Sequence, residues 1–270
     1  MPLKVRDLRN LMENLAPVNL KEDYDNVGLM VGNLEKEVSS ILVALDCTLQ
    51  VIKEAKEKNC NFILTHHPLL FIKPRSVTDE TLIGKKIIEL IRNDIAVYSA
   101  HTNLDSVYYG LNDMLVKLLG YENYSIIEVN NSNNSSEKDG IGRLAVLPSP
   151  LTLIKICNHV KDKLEVKGLR YVGEDSKLIR RVAVVNGSGE DYYEAAFKLG
   201  ADLIITGDTK YHNTSDFSEM GMAIIDAGHF ESEWPALKIF ADNLRDELSA
   251  LNYTNNVIIS EASKPIYKYL

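Results

Sequence analysis

Short apolar, β-branched runs alternate along the chain with stretches whose apolar residues recur at helical spacing. The runs Ile41–Leu45, Phe62–Thr65, Ile95–Ser99, Arg143–Leu147, Arg181–Val185, Leu203–Thr206, Ala223–Asp226 and Val257–Ile259 read as strands. Most are continuously apolar, as strands covered on both faces are. Helices are expected over Leu49–Lys58, Thr81–Asn93, Leu111–Leu119, Leu151–Lys163, Asp191–Leu199 and Pro235–Leu251, with Pro235 near the first position of the last. At the start, MPLKVRDLRNLMENL sets Leu8, Leu11, Met12 and Leu15 on one face of an amphipathic helix. The alternation predicts an α/β protein with parallel or mixed sheets flanked by helices.

The chain also aligns with itself. ILVALDCTLQVIKEAKEKNCNFILTHH (41–67) matches VAVVNGSGEDYYEAAFKLGADLIITGD (182–208) without gaps, so that Ala55 falls on Ala196, Ile63 on Ile204 and Thr65 on Thr206. With a shorter connection, IAVYSAHTNLD (95–105) continues the match on MAIIDAGHFESE (222–233). Both segments read strand, turn, helix, strand, which predicts two related α/β lobes arising by internal duplication. The polar stretch NNSNNSSEKDG (130–140) has nothing to bury and is expected to be a flexible connection marking a boundary between the halves.

Composition narrows the class. The 270 residues, 45% hydrophobic and 25% charged, suit an ordinary globular protein with one large core or two compact ones. The balance of 30 basic and 38 acidic residues, net −8, argues against a surface built for nucleic acid or an anionic membrane. No apolar run reaches membrane-spanning length, and the charged start lacks a signal-peptide pattern. Cys47, Cys60 and Cys157 are odd in number and form no C-x-x-C pair. A disulfide framework or thiolate zinc site is therefore disfavoured, and the cytoplasm is the expected compartment.

The histidines carry the chemistry. His66, His67, His101, His212 and His229 stand at or just beyond the carboxyl ends of expected strands, where ligand sites of α/β sheets form. His159 falls in a helical stretch and reads as structural. Two of the five are followed four residues later by an acid, as His101 by Asp105 and His229 by Glu233, one from each half. A lone strand-end histidine is more often a hydrogen-bonding residue than a ligand, and Asp105 and Glu233 each also suit a helix start. Adjacent imidazoles before a proline together with two H-x-x-x-acid elements are far more specific. Imidazole and carboxylate suit Zn, Fe, Mn, Co or Ni, and a carboxylate can bridge two ions, which points to a dinuclear site. The turn Asn186–Asp191 could hold an anion on its backbone, but Glu190 and Asp191 favour a tight turn or cap instead. Asp208, Lys210 and His212, in TGDTKYH, could supply a proton-transfer group or a substrate contact, or simply form a polar loop.

In order, YDNVGLMVG (24–32), ILTHHPLLF (63–71), SAHTNLD (99–105), NGSGE (186–190), ITGDTKYH (205–212) and DAGHFESE (226–233) resemble the family of GTP cyclohydrolase 1 type 2 homologues, also called NIF-three-like proteins. The resemblance spans almost the whole chain. It implies a two-lobed α/β fold with two divalent metal ions per chain, held by His66, His67, Asp105, His229 and Glu233. Glu233 would be the bridge, with His101 as an additional neighbour. The lobes would comprise residues 1–125 plus 226–270 and an inserted 126–225. The resemblance also implies a toroidal homohexamer, in the compact form without the domain some members carry between the lobes. Glu190 and Asp191 stand where members often have small hydroxyl residues.

The activity so implied is metal-dependent opening of the guanine imidazole ring of GTP with loss of formate. Hydroxide on the metal would attack the purine, and His101 or His212 would shuttle protons. The sequence has no Walker loop, and Lys73 and Arg75 are the nearest basic residues to the HHP turn. A phosphoesterase-type metallohydrolase acting on another small molecule and a non-catalytic metal-binding regulatory or scaffold protein are the competing readings.

Overall fold

The computed structural model describes residues 2–132 and 135–268. In chain order its first elements are α1 (Val5–Leu15), β1 (Gly28–Val31), β2 (Ser40–Ala44), α2 (Leu49–Glu57), β3 (Phe62–Thr65), α3 (Leu82–Arg92), β4 (Ala96–Ser99), α4 (Thr102–Ser106) and α5 (Leu111–Leu118). There follow β5 (Tyr124–Val129), β6 (Gly140–Thr152), α6 (Leu153–Lys163), β7 (Arg170–Val172), β8 (Leu178–Ser188) and α7 (Tyr193–Lys198). The chain then forms β9 (Leu203–Gly207), α8 (Tyr211–Glu219), β10 (Ala223–Asp226), α9 (His229–Ala250) and β11 (Asn256–Ile259). No helix among the described residues is long and apolar enough to cross a membrane.

Two compact units divide the chain, one of residues 1–107 and 237–264, the other of 108–236 and 265–270. In the first, five strands lie in the order β1-β4-β3-β2-β11, all parallel except β1 against β4. The apolar runs form these strands because both faces are covered: Leu42, Ile63 and Val97 are fully buried together with Val51 and Ala55 of α2 and Leu90 of α3. Thr48 and Thr81 cap α2 and α3, each accepting a hydrogen bond from the backbone N–H three residues on. A separate tie secures the carboxyl end of the unit. Glu54 on α2 accepts hydrogen bonds from the Ser260 hydroxyl and from the N–H groups of Glu261 and Ala262.

The second unit has six strands in the order β5-β6-β8-β9-β10-β7. Strands β8, β9 and β10 are parallel, and β5, β6 and β7 run antiparallel to their neighbours. Within it the buried guanidinium of Arg143 forks onto Asp113, 2.9 and 2.7 Å from the two carboxylate oxygens.

The internal duplication is present down to strand register. Ile41 faces Phe62 as Val182 faces Leu203, and Phe62 faces Ala96 as Leu203 faces Ala223. These are the residues the self-alignment superposes. In each sheet the third parallel strand carries an antiparallel edge, β1 on β4 and β7 on β10.

Several boundaries differ from expectation. The final helix begins at His229, so Pro235 lies inside it and not at its start. The stretch 130–140, of which residues 133 and 134 lie outside the described residues, joins the paired strands β5 and β6 of one unit. The units divide at 107/108, 236/237 and 264/265, where 125/126 and 225/226 are expected from the sequence. The reason is visible in the contacts: His229 and Ser232 at the start of α9 bond Asp208 and Gly187, and the Asp113 side chain of α5 bonds Arg143 of β6, which attaches both segments to the second unit. The three cysteines are free and buried.

Candidate metal centre

In the first unit, parallel strands β3 and β4 end side by side, and the chain places His66 and His67 directly after one and His101 just after the other. This is the carboxyl edge where α/β sheets build sites. The ring centres of His66 lie 5.2 Å from His67 and 5.0 Å from His101, and one ligating nitrogen of each ring lies within 4.8 Å of the others. His66 is fully buried.

Each ring is held by the same device. His66 Nδ1 lies 2.8 Å from the Ala100 carbonyl, His67 Nδ1 2.8 Å from Asp46 Oδ1, and His101 Nδ1 3.0 Å from Asp25 Oδ1. A carbonyl or carboxylate oxygen only accepts, so Nδ1 carries a proton, and the ring in its neutral form has its lone pair at Nε2. Histidines oriented this way are poised to ligate a cation. Asp25 is buried, which by itself would raise its pKa. Hydrogen bonding and charge from His101, with hydrogen bonds from the Thr102 hydroxyl and N–H, outweigh the burial and hold the carboxyl at about 2.

Asp105 belongs to α4, one turn beyond His101, with Oδ1 3.6 Å from His66 Nε2. It is buried. The three imidazoles thus gather closely with Asp105 beside them, and His101 takes a place among the candidate ligands themselves.

The second unit repeats the device. His229 opens α9 after β10, and Glu233 follows one turn later with Oε2 3.1 Å from His229 Nε2. Asp208, just past β9, lies 2.8 Å from His229 Nδ1 and fixes the same tautomer. Glu233 is buried against Gly187, whose φ is +60° and whose missing Cβ would stand 2.0 Å from Glu233 Oε1. The glycine turn therefore serves as a wall for this carboxylate. It is pinned by Gly187 N–H to the Ser232 hydroxyl, 2.9 Å, and by Gly189 N–H to Thr206 Oγ1, 2.8 Å. Glu190 takes Lys210 as its partner at 2.8 Å and raises the pKa of that lysine by hydrogen bond and charge.

His212 is exposed in the first turn of α8, its ring centre 5.4 Å from that of Tyr211, and is not among the gathered residues. His159 on α6 bonds the Leu119 carbonyl at 2.7 Å, as a structural histidine does. Asp25 and Asp46 carry no ligand signature in the sequence, and Asp208 stands in a segment that reads equally well as a polar loop. Their position at strand ends or in the YDNVG segment was the available signal.

A family model described as Duf34/NIF3 (NGG1p interacting factor 3) matches residues 3–265. The chain belongs to the Duf34/NIF3 family. A Clostridium acetobutylicum relative named GTP cyclohydrolase 1 type 2 homolog is 50% identical over 269 residues, with both chains fully covered. A Clostridium perfringens relative of the same name is 50% identical over 268 residues, covering 99% of this chain and all of the relative. Among solved structures, a Staphylococcus aureus hypothetical protein superposes with a TM-score of 0.92 at 32% identity, each chain covered completely. A Bacillus cereus protein related to NIF3 gives 0.91 at 25% identity, again with complete coverage. The α/β architecture of this Duf34/NIF3 chain, with its two mixed sheets, is therefore that of the family, and its histidine and carboxylate clusters have the composition of a divalent-metal site.

Proposed function

We propose that this Duf34/NIF3 protein is a hydrolase dependent on two divalent metal ions, held by His66, His67, Asp105, His229 and Glu233 with His101 alongside. The observation that carries the reading is the shared orientation of four imidazoles, each with Nδ1 against an oxygen acceptor, so that the lone pair of the neutral ring lies at Nε2. Bound divalent ions supply Lewis acidity and activate water at neutral pH. Asp25, Asp46 and Asp208 hold the rings in the ligating tautomer. Glu233, walled by Gly187, would be the bridging carboxylate. His101 Nε2 and the exposed His212 are the groups offered for moving a proton.

The relatives' name suggests a purine nucleotide as substrate, with opening of the guanine imidazole ring and release of formate. A second reading, a metal-binding regulatory or scaffold protein, draws on a different feature. Lys210 is engaged by Glu190 and Arg170 by Asp226, so neither cation stands ready for a triphosphate. A homohexamer belongs to the same proposal, and sedimentation velocity would measure it.

The test is metal content by elemental analysis, with formate release from GTP and turnover of a phosphoester panel, for wild type and Glu233→Ala. About two ions per chain, lost in the variant, with metal-dependent formate release are the expected outcome. Phosphoester turnover without formate would replace the nucleotide ring as substrate. Two ions without turnover would establish the scaffold reading, and no metal under replete conditions would overturn the site.

A further inference from the structure

The second unit carries an aromatic and cationic cluster that the metal site does not use. The ring centres of Tyr108 and Tyr109 lie 3.9 Å apart, tilted by 40°. Lys117 Nζ stands 4.4 Å from the centre of the Tyr109 ring, and Lys138 Nζ 4.8 Å from that of Tyr108. Tyr109 is 56% exposed, and both lysines are exposed.

The backbone beneath is fixed. Tyr109 N–H donates to Asp113 Oδ2 and Tyr108 N–H to Asp139 Oδ1, each at 2.8 Å. Asp113 is itself clamped by the buried fork of Arg143. Tyr109 has a φ of +63°, a left-handed conformation unfavourable for a bulky side chain. Such conformations persist where surrounding structure enforces them, and they concentrate at ligand sites.

Arg143, Arg170 and Lys210 each meet a carboxylate, whereas Lys117 and Lys138 meet only aromatic faces among the described residues. An exposed ammonium–ring contact is weak and easily exchanged for a stronger anionic partner. A ligand satisfying all four side chains carries a flat π-system and negative charge together, as a nucleoside phosphate does. Two cations and one exposed ring suit a single nucleotide better than a strand, and the chain's net charge of −8 disfavours a polyanion.

We propose that Tyr108, Tyr109, Lys117 and Lys138 form a nucleotide-binding platform. The base packs on the tyrosines, and the ammonium groups move from the rings to the phosphates. This rests on the hydrolase reading only for the choice of a purine nucleotide as probe.

The test is calorimetric titration of the full chain, metal-loaded and chelator-treated, with GTP, guanosine, tripolyphosphate and a single-stranded oligonucleotide. GTP is expected to bind more tightly than guanosine or tripolyphosphate in both preparations. Tyr109→Asn, which removes the ring yet tolerates the left-handed backbone, should weaken GTP about tenfold, while Tyr109→Phe keeps the affinity. Lys117→Gln combined with Lys138→Gln should also weaken GTP about tenfold and flatten its salt dependence. Circular dichroism checks that each variant is folded.

GTP affinity that is absent in wild type, or unchanged in both the asparagine and the glutamine variants, would overturn the platform. An oligonucleotide bound more tightly than GTP would overturn the mononucleotide assignment. The two readings fail separately. Platform-dependent binding without formate release sinks the hydrolase and leaves the platform, whereas formate release with KM unchanged in the variants does the reverse.

Discussion

Asp46 Oδ1 lies 2.8 Å from His67 Nδ1, and the aspartate thereby assigns a proton to Nδ1 and the lone pair of the neutral ring to Nε2. Asp208 stands in the same relation to His229 in the other unit. Removing such a carboxylate leaves the proposed ligand in place but frees its tautomer and orientation. Asp46→Ala and Asp208→Ala are each expected to weaken metal binding by about 10- to 100-fold with the fold intact. Competition against a chromophoric chelator measures this directly, and affinities equal to wild type would remove the carboxylates from the site.

Gly187 is required twice, by its φ of +60° and by the 2.0 Å approach that a Cβ would make to Glu233 Oε1. Neither demand is met by alanine. Gly187→Ala should cost about 1–3 kcal/mol of stability through backbone strain. The displaced carboxylate should also lower metal content more than a surface substitution of equal destabilisation does. Urea denaturation beside elemental analysis separates the two effects.

Much of this was legible in the residues. Continuous runs such as Ile41–Leu45 and Leu203–Thr206 announce buried parallel strands, and the self-alignment carried over to the register of both sheets. What escaped had weak local signals. Strand β7, Arg170–Val172, is exposed along its length and exists because β10 offers it an edge to pair with. The start of α9 was hidden because Pro235 reads as a first-turn residue, although here it lies a turn and more inside the helix. At the site, the histidines declare themselves by type and spacing. Asp25, Asp46 and Asp208 look like turn residues until folding brings their oxygens to Nδ1 atoms distant in sequence.

Arg143 and Asp113 form the most deeply buried ion pair of the second unit, each side chain 1% exposed. Burial raises the pKa of Asp113, but the hydrogen bonds and charge of Arg143 prevail and lower it. Breaking the pair strands the guanidinium without its partner. Asp113→Ala should therefore cost about 3–5 kcal/mol, read as a lower denaturation midpoint. A replacement of both residues by apolar ones should recover part of that loss, and a double variant no better than the single would show that the charge itself is not the cause.

Glu54 gives the first unit a pH dependence. Its carboxyl is largely shielded and burial would raise its pKa, yet Lys58, Ser260 and the N–H groups of Glu261 and Ala262 bring it from 4.5 down to about 2. Because the folded value is depressed, the anion's contribution to stability is complete above the unfolded pKa near 4.5. That contribution shrinks as pH falls from there toward 2. Glu54→Gln should remove this component and shallow the acid limb of the stability curve. It should also loosen residues 260–262, which the carboxylate ties to α2. Thermal midpoints recorded between pH 7 and pH 3, with amide exchange at Glu261 and Ala262, would check both effects. An unchanged acid limb together with unchanged exchange would show that the carboxylate does not hold this end of the chain.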